Sequence, residues 1–372
     1  MNYISVIKTS FYFFPIIALI ITIPFIIRNY RRYGSVHKLR TIIVYSFILY
    51  LLTIYFLVIM PLPSIEEVAQ LTTPKINLIP FSFITDFIKE TPLIITEPNT
   101  YLLALKDSSF YVVIFNIIMT IPFGMYLRYY YKCSLKKTIF LSFLLSLFFE
   151  ITQLTGLYFI YPRSYRLFDI DDLILNTLGG LLGYFIMGKI NKYLPTREKI
   201  DQESYTNGEI VSPLRRLMIA IIDIIFYFFF IILLSIFIQK YLLLISFILY
   251  YIIIPLIWDG KTIGSNFLKV KRNFNKRKLL NTFLYPIFKL VYYLIMPNLA
   301  LYIVIFLLAK INHFITFVIL VGFIFLYLSF YLGNIIFLFI SKTMFYDSLF
   351  SLEYQSTITK RWENLPNNNE CV

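Results

Sequence analysis

Long apolar runs, each bounded by charged or helix-breaking residues, recur along the chain, and their length decides what they are. A bilayer core about 30 Å thick needs roughly 20 apolar residues per spanning helix. About nine runs meet or approach that length, at residues 5–27, 41–60, 108–127, 138–158, 170–188, 214–238, 241–257, 283–309 and 314–340. Lys289 and Pro297-Asn298 interrupt the eighth, and its first half also fits an interfacial helix. The expected fold is all-α: a polytopic membrane helical bundle with five helices before a polar stretch and four after it.

Composition supports that class. Of 372 residues, 59% are hydrophobic and 15% charged, more apolar than soluble globular domains are. The formal charge of +14 raises the question of nucleic-acid binding, but the cations sit in short loops between apolar runs. Residues 28–40 hold five Lys/Arg and no acid, 128–137 hold four and 258–278 hold seven, whereas 61–107 hold three against six acids. Loop cations in this alternation are what membrane topology alone produces, so no nucleic-acid partner is expected. The positive-inside rule places 28–40, 128–137, 189–213 and 258–281 in the cytoplasm, with the N-terminus outside and the C-terminus inside. The first run lacks a basic leader and a small-residue cleavage site, and is read as a retained anchor. Cys133 and Cys371 are too few for a metal cage or a disulfide framework, and His37 and His313 are not placed as ligands.

The polar stretch 191–213 is read as a cytoplasmic linker between a domain at 1–190 and another at 214–350, followed by a polar tail at 351–372. No internal repeat relates the halves. An inverted-repeat transporter is therefore not indicated.

Polar residues inside apolar runs are the candidates for function, because a carboxylate at membrane depth costs a few kcal/mol and must be compensated. Glu150 and Gln153 lie three apart on one helix face, and Arg163 and Arg166 in YPRSYR are expected to meet the Glu150 carboxylate. Asp169, Asp172 and Asn176 form a stripe along the start of the next helix; Asp171 points elsewhere, as a cap or a solvated charge. Helix capping is the plain reading of Asp169 and Asp171, but it explains neither Glu150 nor Asn176. Gly179 and Gly183 have a spacing that permits close helix approach, here expected against the helix bearing Glu150.

At these residues the chain resembles the VanZ-like family. The matching pieces are Glu150-x-x-Gln153, Arg166 and FDIDDLILNTLGGLLGY, with Asn77-Leu-Ile-Pro80-Phe81 and Asn116 plus Ile121-Pro122-Phe123-Gly124 upstream. Five pieces agree in order over about residues 41–190. The resemblance implies an integral membrane protein and, through the family's namesake, a link to low-level resistance against teicoplanin-type glycopeptides.

The second half is similar to the RDD family, whose arginine and aspartates are best matched by Arg216, Asp223 and Asp259, with Asp347 as a late aspartate. The D-G-x-T-x-G core is present at 259–264, with Ser265 where the family's lysine stands. A plain scaffold, with Asp259-Gly260 as a tight turn, accounts for the same residues. Resemblance to RDD proteins implies a possible ion-exchange role for Asp223.

The leading expectation is an envelope protein, more binding protein than enzyme, whose first half holds a lipid-linked or amphiphilic ligand and contributes to glycopeptide tolerance. Its partners are membrane lipids or lipid-linked envelope precursors. The competing readings are a proton- or cation-coupled transporter using Glu150 or Asp223, and a membrane lipid-phosphate hydrolase. No paired-His, Ser-His or metal-ligand constellation stands in the chain, so no catalytic residue, metal or cofactor is assigned.

Overall fold

The computed structural model describes residues 3–94, 96–308 and 313–358. Among them, eight helices are long and apolar enough to cross a membrane, and a shorter apolar helix, Leu242–Ile257, occupies the seventh run. The protein is an all-α polytopic membrane bundle with only short pieces of sheet. Large apolar side chains along the spans, such as Phe228, Phe229 and Ile232, are exposed, as lipid-facing positions must be. The chain divides into two compact units, one of residues 3–22 and 38–200, the other of residues 23–37 and 201–358.

The first unit contains the start of helix α1 (Tyr3–Tyr33), then α2 (Lys38–Ile59), the short amphipathic α3 (Ser82–Glu90), α4 (Ser108–Tyr129), α5 (Leu135–Leu154) and α6 (Ile170–Ile190). Side chains cap the later helices where the sequence turns polar. Asp107 accepts from the Ser109 N–H at the start of α4, Ser134 from Lys137 at α5, and Asp169 from Asp171 at α6. A two-residue parallel pairing joins β1 (Ile76–Asn77) to β2 (Phe168–Asp169) in front of α6.

Glycines set the packing of α6, but not as the sequence suggested. A Cβ on Gly179 would sit 2.2 Å from the Ile117 carbonyl oxygen, and one on Gly183 2.0 Å from that of Ile121. Both glycines therefore close α6 against α4 rather than against α5. Gly180 makes the α5 contact, since its Cβ would fall 2.0 Å from Ser142 Oγ. Adjacent positions on a helix point about 100° apart, so neighbouring glycines serve different neighbours.

The second unit holds the end of α1. Within the polar stretch, Arg197–Gly208 is helical (α7), and it is followed by α8 (Pro213–Ser235), capped by Ser212, and α9 (Leu242–Ile257), whose middle is a π-helical segment. The short α10 (Ile263–Phe267) leads into β3 (Val270–Phe274), which pairs antiparallel with β4 (Leu352–Ser356), so strand structure occupies part of the expected polar tail. Cys371 and residues 359–372 of that tail lie outside the described residues. Between the strands run α11 (Lys278–Leu308) and α12 (His313–Ser341). The interruption expected in the eighth run does not break the helix. Pro286 and Pro297 flank a π-helical turn at Val291–Ile295, which re-registers backbone hydrogen bonds that a bilayer does not let go unmade.

Candidate functional site

In the first unit, the ends of α2 and α5 and the starts of α4 and α6 meet at one end of the bundle. Three consecutive left-handed residues, Leu157, Tyr158 and Phe159, turn the chain after α5. Such conformations are costly for side chains with a Cβ. Here the turn is held by Tyr161, whose hydroxyl donates to the Pro63 carbonyl at 2.8 Å. Tyr165 donates likewise to the Ile59 carbonyl at 3.3 Å, and its buried phenol is pushed up to about 12 by desolvation.

The two arginines of this turn do not do what the sequence suggested. Arg166 donates from its two terminal nitrogens to the carbonyls of Val58 and Met60, each at 2.7 Å. Arg163 donates to the carbonyls of Leu71 and Thr73. Neither forms a bidentate pair with Glu150: Arg166 is drawn to carbonyls at the end of α2 that have no intrahelical donors, and Arg163 to carbonyls of the loop that follows. Arg166 nonetheless lies within electrostatic reach of Glu150 and Asp172.

Glu150 is 1% exposed and accepts one hydrogen bond, from the Asp169 backbone N–H at 3.0 Å. Gln153 donates to the Val58 carbonyl at 3.0 Å. Asp172 accepts from the Asn116 side-chain amide at 2.5 Å. The Ser146 hydroxyl donates to the Asp172 carbonyl at 3.1 Å and accepts from the Asn176 amide at 2.9 Å, while the buried Asn176 Oδ1 has no hydrogen-bond partner among the described residues. The structure thus gathers Glu150, Asp169, Asp172 and Asn176 where α4, α5 and α6 meet. Asn116 and Ser146, which the sequence reading did not select as site residues, complete the set. Their signal was available, since Asn116 is a polar residue well inside an apolar run.

Asp169 and Asp171 have structural duties. The Asn77 amide donates to both Asp169 oxygens at 3.3 Å, beside the β1–β2 pairing that sets Asn77 opposite Asp169. Asp171 is buried, not solvated. It accepts from the Phe81 N–H at 2.6 Å, the Ser82 hydroxyl at 2.9 Å and the Phe83 N–H at 3.0 Å, so it caps α3 rather than its own helix.

The four residues that the sequence suggested as RDD matches fall into three separate places in the second unit. Arg216 pairs with Asp347 at 2.5 Å, both buried, and stacks its guanidinium 4.0 Å from the Tyr354 ring centroid. Asp347 also accepts from the Tyr285 hydroxyl at 3.2 Å and the Met344 N–H at 2.9 Å. Asp223, one face with Arg216 by spacing, instead takes the Thr262 hydroxyl at 2.7 Å, the Gly264 N–H at 2.7 Å and the Tyr250 hydroxyl at 3.1 Å. It ties α8 to the start of α10. Asp259 sits exposed in a left-handed turn with Gly260 and pairs with Lys271 and Lys278, whose ammonium groups hold its carboxyl down at about 2. Arg215, which its sequence position at the helix edge did not mark as a candidate, is fully buried and donates to the carbonyls of Gly34, Gly208, Leu268 and Lys269.

Comparison with known proteins identifies the family of the first unit. Residues 47–191 match the family model VanZ/LLP1. Protein VanZ of Enterococcus faecium is 32% identical over 157 residues, which is 41% of this chain and 78% of that protein. No solved structure matches. The matched stretch runs from α2 to the end of α6 and carries every polar group of the cluster, and through it this chain belongs to the VanZ/LLP1 family.

Proposed function

We propose that residues 47–191 bind a lipid-linked or amphiphilic envelope ligand and thereby contribute to tolerance of teicoplanin-type glycopeptides. One observation carries the reading: Glu150 and Asp172 sit within membrane-spanning helices, and each side chain accepts a single hydrogen bond among the described residues. An ionised carboxylate has room for about four donors. Acids this deep with acceptor capacity left over suit a ligand that brings hydroxyl or amine donors, while Arg166 retains three of its five N–H groups for a phosphate or carboxylate. In this proposal the N-terminus is outside and the C-terminus cytoplasmic, which puts the cluster near the outer leaflet. The second unit, with its RDD-like residues, is a domain of its own.

The test is tolerance in a susceptible Gram-positive host carrying the wild type, Glu150→Gln or Asp172→Asn, with membrane abundance measured alongside. Each variant is expected to abolish the tolerance at unchanged abundance. Wild-type tolerance in both variants would remove the site, and native mass spectrometry of the gently extracted protein reads the retained ligand directly.

A further inference from the structure

Within the second unit, the end of α1 carries a groove of about 600 Å³ lined by Ile23, Pro24, Ile27, Arg28, Arg31, Arg32 and Lys269. Residues 23, 27 and 31 and residues 24, 28 and 32 form two adjacent four-residue stripes, so the α1 lining is a single helix face. Along that face the chemistry changes in one direction. The three residues farther into the span are apolar, and the three at its end are arginines.

Lys269, in a left-handed turn just before β3, adds a fourth cation from across the groove. No acid lines it, and none of the four cations has an ion pair among the described residues. The Arg31 guanidinium lies 4.4 Å from the Phe267 ring centroid, which orders it at the groove wall.

We infer that this groove is a binding site for an anionic phospholipid, with the phosphate headgroup among Arg28, Arg31, Arg32 and Lys269 and the upper acyl chain along Ile23, Pro24 and Ile27. The argument is complementarity in both charge and position. Four clustered cations without an acid repel one another until an anion joins them, and guanidinium groups take phosphate oxygens in pairs. A soluble phosphate compound meets the cations but leaves the apolar half uncovered. A lipid meets both, because its headgroup and chain are stacked in the same order as the two halves of the groove. Basic pockets at the ends of membrane helices hold lipid headgroups for this reason. The site is separate from the Glu150 cluster and does not depend on what that cluster binds.

The experiment uses the full chain in nanodiscs of phosphatidylcholine with phosphatidylglycerol, followed by native mass spectrometry of the released protein. The wild type is expected to retain phosphatidylglycerol in preference to phosphatidylcholine, and to lose that preference as salt rises. Arg28→Gln with Arg31→Gln should weaken retention on the order of tenfold or more, since each cation near the headgroup counts. Arg28→Lys with Arg31→Lys should keep it in large part. Lys136→Gln with Lys137→Gln removes two exposed cations from elsewhere and should leave retention unchanged.

Equal loss in the Lys136/Lys137 pair would reduce the effect to general surface charge and overturn the inference, as would a wild type without preference. A photoactivatable phosphatidylglycerol gives a readout that needs no variant. Its crosslinks should map to residues 23–32, and crosslinks confined to other segments would overturn the assignment.

Discussion

The buried acids of the two units differ in how completely the protein satisfies them. In the second unit Asp223 accepts three hydrogen bonds from Thr262, Gly264 and Tyr250, and Asp347 accepts from Arg216, Tyr285 and Met344. In the first unit Glu150 and Asp172 accept one each. A buried carboxylate with its lone pairs filled is a fastener, because moving it breaks several charge-assisted bonds at once. A buried carboxylate with lone pairs to spare is expensive to keep unless something else uses them. Asp171 shows that saturation, not membership of a unit, is what matters, since it lies beside Asp172 and yet is filled by three donors from the start of α3.

If saturation separates fasteners from ligand groups, the largest loss of stability belongs to the second unit. Arg216→Met leaves Asp347 buried without its cation and should cost about 3–5 kcal/mol. Thermal unfolding of the purified protein, or its abundance in membranes, reads the effect, and a small change would mean that Tyr285 and Met344 suffice.

A smaller structural loss is expected at Asp171. Asn offers one carbonyl oxygen where the carboxylate serves Phe81, Ser82 and Phe83, so Asp171→Asn should destabilise by about 1–3 kcal/mol and free α3. Limited proteolysis across residues 61–107 should quicken in this variant and not in Asp172→Asn.

Glu150→Gln is expected to change stability by less than about 1 kcal/mol, since the amide oxygen still accepts from the Asp169 N–H. Its consequence should be functional instead, and a stability loss matching that of Arg216→Met would erase the contrast between the units.

The smallest effect is at Asp259. Its folded value of about 2 lies below the ordinary 3.8, so its pairing with Lys271 and Lys278 contributes fully above about pH 4 and is lost as pH falls from there through about 2. The group is exposed and screened, so Asp259→Asn at neutral pH should barely move the unfolding temperature. Any difference between variant and wild type should shrink in acid and in salt.

Much of this protein was legible in its chain. Span positions followed from run length alone, because hydrocarbon thickness leaves a helix little choice. The family match followed from separated polar pieces that no apolar run requires, and Glu150, Asp172 and Asn176 were found as polar residues at membrane depth. The partner of each polar atom was a different matter. Spacing on one helix set Arg216 beside Asp223, but tertiary structure sent Arg216 to Asp347 and gave Asp223 the start of α10. The reach of Arg166 suggested Glu150, yet its nitrogens met the open carbonyls at the end of α2.

Whether Gly179 faced α4 or α5, and whether Asp171 faced water or the Phe81 N–H, likewise depended on which remote segment arrived beside it. Periodicity is a local property, and it reports which side of a helix is apolar. Hydrogen-bond partners are chosen among groups that folding brings together from separate parts of the chain, as Asn77 and Asp169 are from 92 residues apart, and only the assembled bundle makes that choice.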